Sequence, residues 1–320
     1  MAFYPDDVKP VERAESLGTG FPSARVQRKR LVPAHLLYIL PTFAFLIVFM
    51  YYPAFSAIYH SFFVWDGATT AKFTGLDNFI QMAEDPVIRK SFLNVFKLTA
   101  WGVLVTTAAP LFTARLIFNL RSKRAQFIFR TLFVIPAVVP QVVTWFVWAF
   151  IYDPLSGLAN QTLSLIGLGA FQQAWLGDPK IALYALMFMQ FPYVFALPLL
   201  IFTAGLQGIS DEILDAAAID GAGGFSRFFR VELPLLYGQI RLVVVLAILD
   251  AIQNFAYVLI LTNGGPGDAT MVPALALYRN AFTYNKMGYA SAIGTLIFLL
   301  VLGLSYLNLR TVRSEVEYEV

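Results

Sequence analysis

From Asp211 to Pro234 the chain reads D-E-I-L-D-A-A-A-I-D-G-A-G-G-F-S-R-F-F-R-V-E-L-P, the longest charge-bearing interruption in its apolar C-terminal half. We call residues 210–234 the elbow. Ser210 is a favourable N-cap, and the acidic residues that follow it suit the positive end of a helix. Gly221 favours the end of that helix. The pattern predicts two short helices joined by a bend, between two long apolar segments, which is typical of a docking element at a membrane surface.

The composition of the 320-residue chain indicates a membrane protein. Hydrophobic residues make up 58% and charged residues 13%, whereas soluble domains carry about 25% charged residues. Cysteine is absent and His35 and His60 are the only histidines, so disulfides and cysteine metal sites are excluded and no metal centre is expected. No nucleic-acid partner is expected either. The chain has no G-x-x-x-x-G-K-[ST] phosphate loop, so ATP would have to act through another subunit.

Six apolar segments are long enough to cross a bilayer, which takes about 20 residues each. They lie near 35–59, 91–117, 131–152, 181–206, 242–261 and 288–309. This predicts an all-α membrane protein with its transmembrane domain at 31–309. Residues 1–30 are expected to form a cytoplasmic tail. A signal peptide is the alternative, but the run from Leu31 to Val64 has no acid, lysine or arginine and exceeds the roughly 7–15 residues of a signal-peptide core.

Basic residues predict the orientation in the membrane. They concentrate in the N-terminal tail, the loop at 121–130, the elbow and the C-terminal tail at 310–320. Six crossings place these four regions on one side, and basic clusters in short loops mark the cytoplasmic side. Both termini and the elbow are therefore expected in the cytoplasm.

Polar side chains inside the apolar segments are candidates for a pathway, because such groups are costly in lipid and usually face a cavity or a partner. Two tyrosines lie beside them and could pack on sugar rings. The candidate pathway residues are Gln141, Gln190, Tyr193, Asp250, Gln253, Asn254 and Tyr257. The alternative is that the amides hydrogen-bond neighbouring helices and have no solute to bind. Pro136 and Pro140 are expected to disturb the third segment, which is tolerated where a helix faces protein or a cavity.

The elbow resembles the EAA loop of ABC-importer permeases, in which E-A-A-x-x-D-G-A precedes a phenylalanine region and L-P. The resemblance covers about Leu31 to Leu309. Asp215 stands where the family has glutamate. The residues that match the motif are Asp215, Ala216, Ala217, Asp220, Gly221, Ala222, Phe228 and Pro234. Four further motifs are similar to the carbohydrate branch, the MalF/UgpA-like permeases: F-T-G-L-D-N-F at Phe73–Phe79, R-T-L-F-V-I-P at Arg130–Pro136, T-N-G-G-P at Thr262–Pro266 and M-G-Y-A-S-A at Met287–Ala292.

This resemblance implies a MalF-like type I importer permease in the plasma (inner) membrane of a bacterium or archaeon. The chain would form half of a sugar pathway, with a second homologous permease subunit as the other half of a heterodimer. Two ATPase subunits would bind ATP and Mg, and an external solute-binding protein would deliver the sugar. The motif residues above would couple the chain to one ATPase. No arginine or lysine lies deep in segments three to six, which favours a neutral sugar over a phosphorylated solute.

Two other functions are compatible with the residues alone. An ion-driven secondary sugar transporter could use Asp250 as its ion-binding group, although the elbow has no obvious use in that mechanism. A membrane enzyme could hold a divalent cation with Asp211, Asp215 and Asp220. However, acids near a helix N-terminus are more often structural, because they interact with the helix dipole.

Overall fold

The computed structural model describes residues 34–68, 71–191 and 193–311, and almost all of its regular structure is helical. The α-helices are α1 Ala34–Leu46, α2 Tyr52–His60, α3 Asp77–Glu84, α4 Pro86–Phe118, α5 Lys123–Val134, α6 Gln141–Ile151, α7 Leu158–Leu165, α8 Ala182–Phe188, α9 Ala196–Gln207, α10 Asp211–Ile219, α11 Gly224–Arg227, α12 Leu233–Leu235, α13 Tyr237–Gln253, α14 Ala256–Leu261, α15 Pro273–Phe282 and α16 Met287–Thr311. The predicted all-α class is confirmed. The predicted tail at 1–30 and residues 312–320 lie outside the described residues.

Four short helices of other types and one small sheet complete the described structure. π-Helices occupy Ile47–Tyr51 and Phe228–Glu232, and 3-10 helices occupy Ile135–Val138 and Gly169–Phe171. Strands β1 Phe63–Val64 and β2 Lys72–Phe73 pair antiparallel, with Phe63 opposite Phe73.

The chain divides between Tyr51 and Tyr52 into two units. In the first unit, all residues from Tyr38 to Tyr51 are exposed, including many large apolar side chains. The second unit carries the packed core. Apolar exposure on this scale is characteristic of a chain whose solvent includes lipid.

Length and composition allow up to six membrane spans among the described residues. Three are single helices: Tyr38–His60, Pro86–Phe118 and Met287–Asn308. Three more are helix pairs that bend at a short break, by 85° for Lys123–Val138 with Gln141–Ile151, and by 72° for both Ala196–Gln207 with Asp211–Ile219 and Gly224–Leu235 with Tyr237–Gln253. The two 72° bends separate the elbow helices from α9 and α13.

Helix α4 is the longest helix of the second unit and takes part in both of its apolar cores. Asp85 accepts hydrogen bonds from the backbone N–H groups of Val87 (2.8 Å) and Ile88 (3.4 Å), and Pro86 occupies the first turn, where its missing N–H costs nothing. Val95 and Leu98 of α4 lie in one core with α8, α14, α15 and α16. Its last turns join a second core with α9 and the elbow.

The loop between α6 and α8 contains polar groups with well-defined partners. Asp153 accepts hydrogen bonds from the backbone N–H and hydroxyl of Ser156 (2.7 and 2.9 Å) and from the backbone N–H of Leu155 (3.0 Å). These bonds favour the charged form, so the Ser156 contacts first and then Leu155 lower the pKa of Asp153. Buried Asn160 accepts from the Trp175 indole N–H at 2.8 Å.

Asp77 is the first residue of α3, and the capping position is held by Leu76, which makes no side-chain capping bond. A carboxylate in the first turn still interacts favourably with the helix dipole.

Candidate functional site

The first half of the elbow is a helix with a well-defined end. Helix α10 follows Ser210, whose backbone is extended as an N-cap requires, although its hydroxyl makes no capping bond. At the other end, the backbone N–H of Ala222 donates to Ala217 at 2.8 Å and that of Gly221 donates to Ala218 at 3.1 Å. This pair of bonds is a Schellman motif, and Gly221 has the left-handed φ of +76° that the motif requires.

The second half of the elbow returns the chain to the apolar core. Gly224 begins α11 with a φ of +50°, and the π-helix Phe228–Glu232 leads into α12. Pro234 lies in the first turn of α12, where a proline is tolerated. The predicted arrangement of two helical pieces around a glycine bend is therefore present.

A buried ion-pair cluster attaches the elbow to the end of α4. Glu232 is fully buried, and its two carboxylate oxygens accept from the Nε of Arg115 at 2.9 Å and the Nε of Arg227 at 2.7 Å. Arg227 Nη2 also donates to the side-chain oxygen of Asn119 at 2.8 Å, and Arg115 Nη2 donates to the backbone oxygen of Gly224. We call Arg115, Asn119, Arg227 and Glu232 the base cluster.

Aromatic packing strengthens the base cluster. The guanidinium of Arg115 lies 4.6 Å from the ring centre of Phe228 and 5.9 Å from that of Phe225, within cation–π range. Phe228 is 1% exposed and its ring lies 5.6 Å from that of Phe112 of α4. Phe228 thus faces the core, and any part it has in coupling consists of positioning the elbow.

The opposite face of the elbow is free of such contacts. Asp215, Ala216 and Asp220 are exposed, and within the described residues neither carboxylate has an ion pair or a side-chain hydrogen bond. Ile219 is 87% exposed beside them. An acidic face with an exposed apolar side chain matches a partner that offers basic and apolar groups.

The predicted pathway residues lie at three breaks in the helices. Gln141 is the first residue of α6, directly after the 85° bend. Gln190 and Tyr193 lie in the non-helical stretch between α8 and α9. Gln253 ends α13, and Asn254 is its C-cap with an extended ψ of 104°. Irregular backbone at membrane depth is tolerated only against protein or a water-filled cavity. The three breaks are therefore expected to face the interior of the transporter and not the lipid.

The break that contains Gln190 and the end of α13 both lie beside α4. A methyl group built on Gly102 of α4 would lie 3.5 Å from the side-chain oxygen of Gln190 and 3.8 Å from the side chain of Ala251. The described contacts therefore place Gln190 and α13 on one side of α4. No described contact joins Gln141 to either of them.

The remaining candidates differ in accessibility. Asp250, Gln253 and Tyr193 are exposed, whereas Tyr257 is 6% exposed and packs with its ring 6.4 Å from that of Trp145 of α6. Tyr257 thus holds α14 against α6, and its side chain has little surface to offer a solute.

The far end of α4 holds a second polar contact region. Buried Asn94 donates to the backbone oxygens of Ala269 (3.0 Å) and Met271 (2.9 Å). Lys90 donates to the backbone oxygen of Gly267 at 3.2 Å. Helix α4 thus connects the loop after α14 with the elbow.

The sequence motifs did not indicate a functional role for Arg115, Asn119 or Glu232. A signal was present, because Arg115 is a cation in an apolar segment and Glu232 is the one carboxylate between Asp220 and Asp250. Charges of opposite sign in apolar surroundings are expected to pair. The pairing itself required the fold, since 117 residues separate the two.

Comparisons with known proteins agree with this architecture. The family model described as binding-protein-dependent transport system inner membrane component matches residues 106–312. The probable ABC transporter permease protein YurN of Bacillus subtilis is 32% identical over 89% of this chain and 97% of its own length. The diacetylchitobiose uptake system permease protein NgcF of Streptomyces coelicolor is 31% identical over 79% of this chain and 75% of its own.

A solved structure has the same fold. It is a bacterial ABC transporter involved in the import of the acidic polysaccharide alginate, with 20% sequence identity and a TM-score of 0.73, covering 87% of this chain and 96% of that chain.

Proposed function

This chain belongs to the family of inner membrane components of binding-protein-dependent transport systems, in its carbohydrate-import branch, and we propose that its elbow couples a sugar pathway to a separate ATPase. The resemblance noted from the sequence is thereby confirmed, and the chain is a transport subunit. The observation that carries the coupling proposal is the elbow's two-sided construction. One side is attached by the buried Glu232 and the other presents Asp215, Ala216, Ile219 and Asp220 outward.

The proposed partners follow from the separation of the sugar pathway, which this chain helps to form, from ATP hydrolysis, which another subunit performs. Two ATPase subunits bind ATP and Mg, since this chain has no phosphate loop. A second homologous permease subunit completes the pathway as a heterodimer. A solute-binding protein delivers the sugar, and a solved complex of this fold is described with an alginate pentasaccharide-bound periplasmic protein. Both termini and the elbow lie in the cytoplasm in this proposal.

Helix α4 provides the route by which ATPase movement reaches the far side of the membrane. Its 33 residues span about 50 Å at 1.5 Å each. The base cluster attaches one end to the elbow, and Lys90 and Asn94 attach the other to the loop at 267–271. In this proposal, a displacement of the elbow reaches the loop at 267–271 through one continuous helix.

The sugar passes the helix breaks in this proposal. Gln190, Gln253 and Asn254 lie at or beside the breaks nearest α4, and their amides can donate to and accept from sugar hydroxyls. Broken helices at membrane depth are a recurrent construction for transporter binding sites. Asp250 lies one turn before Asn254 on α13 and is part of the same surface.

The test of coupling is charge reversal on the outward face. In Asp215→Lys, a basic groove on the ATPase would meet a like charge, so we expect co-purification of the ATPase to fall at least about tenfold, in line with the several kcal/mol that like-charge contacts cost at interfaces. Solute-stimulated ATP hydrolysis should fall with it. Pull-down of the tagged permease followed by ATPase measurement gives both values.

The matched control is Glu84→Lys, the same charge reversal at an exposed position at the end of α3. It should assemble and stimulate hydrolysis normally. Normal assembly and normal stimulation in Asp215→Lys would contradict the coupling role.

A further inference from the structure

The end of the helical bundle that carries the elbow also carries a cavity with a distinct chemical character. It has a volume of about 160 Å³ and lies between the end of α4, the start of α5 and the end of α9. Lys123 and Arg130 of α5 line it together with Gln126, Thr203 and Gln207, and none of its lining residues is acidic. The cavity is therefore a basic, polar recess.

The two cations have no counter-charge in the part of the chain that the structure describes. Within the described residues, neither Lys123 nor Arg130 makes an ion pair or a side-chain hydrogen bond. They are seven residues apart on α5, so two helical turns place them on one face, about 10 Å apart along the axis. Gln126 lies between them and donates to the backbone oxygens of Phe118 (3.1 Å) and Leu120 (2.8 Å), which holds α5 to the end of α4.

The surroundings of the cavity show which medium it faces. Phe127, which lines it, is 60% exposed, and Ile128, Phe129 and Leu132 on the following turn are 46–55% exposed. Apolar side chains exposed in this number face lipid, and the charged residues at the start of α5 mark where the hydrocarbon ends. This combination of charged and exposed apolar residues suits a position at head-group level, where a phosphate can reach the cations while acyl chains cover the phenylalanines.

We propose that this cavity, which we call the α5 pocket, binds the phosphate of an anionic phospholipid such as phosphatidylglycerol. Lys123 supplies a mobile point charge and Arg130 a planar donor that can contact two phosphate oxygens. Gln207 and the free oxygen of Gln126 are placed for the hydroxyl groups of the glycerol head. Basic pockets between membrane helices on the cytoplasmic side are suited to such lipids.

The bound lipid would influence the coupling between the ATPase and the sugar pathway because it lies beside the end of α4. Ile117 and Phe118 of α4 line the α5 pocket, and they lie two and three residues beyond Arg115 of the base cluster. A bound lipid fills the gap between α4, α5 and α9, so it holds the end of α4 that the elbow moves.

The test is lipid retention by the full-length chain in mild detergent, measured by native mass spectrometry while phosphatidylglycerol or phosphatidylcholine is titrated. The variant is Lys123→Gln with Arg130→Gln. Its control is Arg121→Gln with Arg124→Gln, which removes the same two charges from the same region at positions that do not line the pocket. We expect the wild type and the control to prefer phosphatidylglycerol, and the pocket variant to bind it at least about tenfold more weakly than the control does.

Three results would overturn the proposal. One is an equal loss of phosphatidylglycerol binding in the two double variants, which would show that the lipid is attracted by the overall positive charge and not by the pocket. Another is equal retention of the two lipids by the wild type, a measurement that needs no variant. The third is displacement of the lipid by inorganic phosphate alone, which would assign the pocket to a free phosphate. If the double variant does not fold, Lys123→Gln alone, at an exposed position, should still show part of the loss.

Discussion

The base cluster and the helix breaks place polar groups inside an apolar protein in opposite ways. In the base cluster, both oxygens of Glu232 have cationic partners and the group is fully buried. At the breaks, Gln253 and Tyr193 are exposed, and the side chain of Asn254 accepts from the backbone N–H of Ala256 at 3.3 Å and hydrogen-bonds the carboxylate of Asp250. The first arrangement pairs both carboxylate oxygens of Glu232 with cations, whereas the second leaves donors and acceptors available to a solute.

This difference separates transmitting residues from binding residues. A satisfied buried cluster has one low-energy arrangement, because any displacement leaves a charge unpaired at a cost of several kcal/mol. It therefore suits a joint that must move as a unit. Partly satisfied amides at a helix break can exchange partners at little cost, which suits a site that binds and releases a solute.

The largest expected effect comes from removing the carboxylate of the base cluster. Glu232→Ala leaves the partly buried guanidinium groups of Arg115 and Arg227 without their counter-charge. We expect a loss of about 3 kcal/mol in the free energy of unfolding, the lower end of the range for breaking a buried pair, because solvent reaches both cations in part. Thermal unfolding in detergent measures this loss. Arg230→Ala, an exposed neighbour in the same π-helix, should unfold at nearly the wild-type temperature.

A second variant distinguishes the charge from the packing. Replacing Arg115 with Met and Glu232 with Leu together removes both charges of one pair and should cost less than Glu232→Ala alone. Wild-type stability of Glu232→Ala would contradict the contrast between the two regions, because the cluster would then not be a satisfied joint.

The start of the first elbow helix and its glycine end were predictable because local rules place them at fixed spacing, although the Ser210 hydroxyl makes no capping bond and the π-helix Phe228–Glu232 was not predicted. Gly221 and Ala217 lie where these local rules place them. The base cluster could not be predicted in the same way, since Arg115 and Glu232 meet only through tertiary packing. The interruption of the third segment was expected from Pro136 and Pro140, whereas those of the fourth and fifth segments were not, because hydropathy averages over about 19 residues and does not register a short break.

The pathway residues were predicted as a set but not sorted by role. From the sequence, Gln253 and Tyr257 are equally good candidates for the pathway, because both are polar groups in an apolar segment. Packing separates them, since the tyrosine ring lies against Trp145 and is buried while the glutamine is exposed. The exposure of a side chain depends on how neighbouring helices pack around it, and this packing cannot be read from the sequence of a single segment.

An intermediate effect is expected at the helix break. Asn254→Leu removes an amide that can bond a sugar hydroxyl, so the apparent affinity for the transported solute should fall about 5- to 30-fold, in line with about 1–2 kcal/mol for one lost hydrogen bond. Assembly with the ATPase should be unchanged. Uptake of radiolabelled solute at a series of concentrations measures the affinity.

The control for this variant is Gln81→Leu, an amide removed at an exposed position of α3. Unchanged affinity and unchanged substrate choice in Asn254→Leu would show that Asn254 bonds only its own chain. The helix break would then resemble the base cluster, and the contrast between the two regions would not hold.

The smallest expected effect lies at the outward end of the elbow, where backbone conformation can be tested without changing contacts. Gly221 has a φ of +76° and Gly223 has one of −101°, and a methyl group on either would meet no atom within 4 Å. Gly221→Ala should therefore cost about 1 kcal/mol through left-handed backbone strain alone, whereas Gly223→Ala should be neutral or slightly stabilising. Hydrogen exchange at the backbone N–H of Ala222, which donates to the backbone oxygen of Ala217, measures the local opening.

Faster exchange in Gly221→Ala only, with global unfolding close to that of the wild type, would show that the tip of the elbow opens independently of the base cluster. Equal exchange in the two variants would mean that the Schellman motif does not hold the outward face in place.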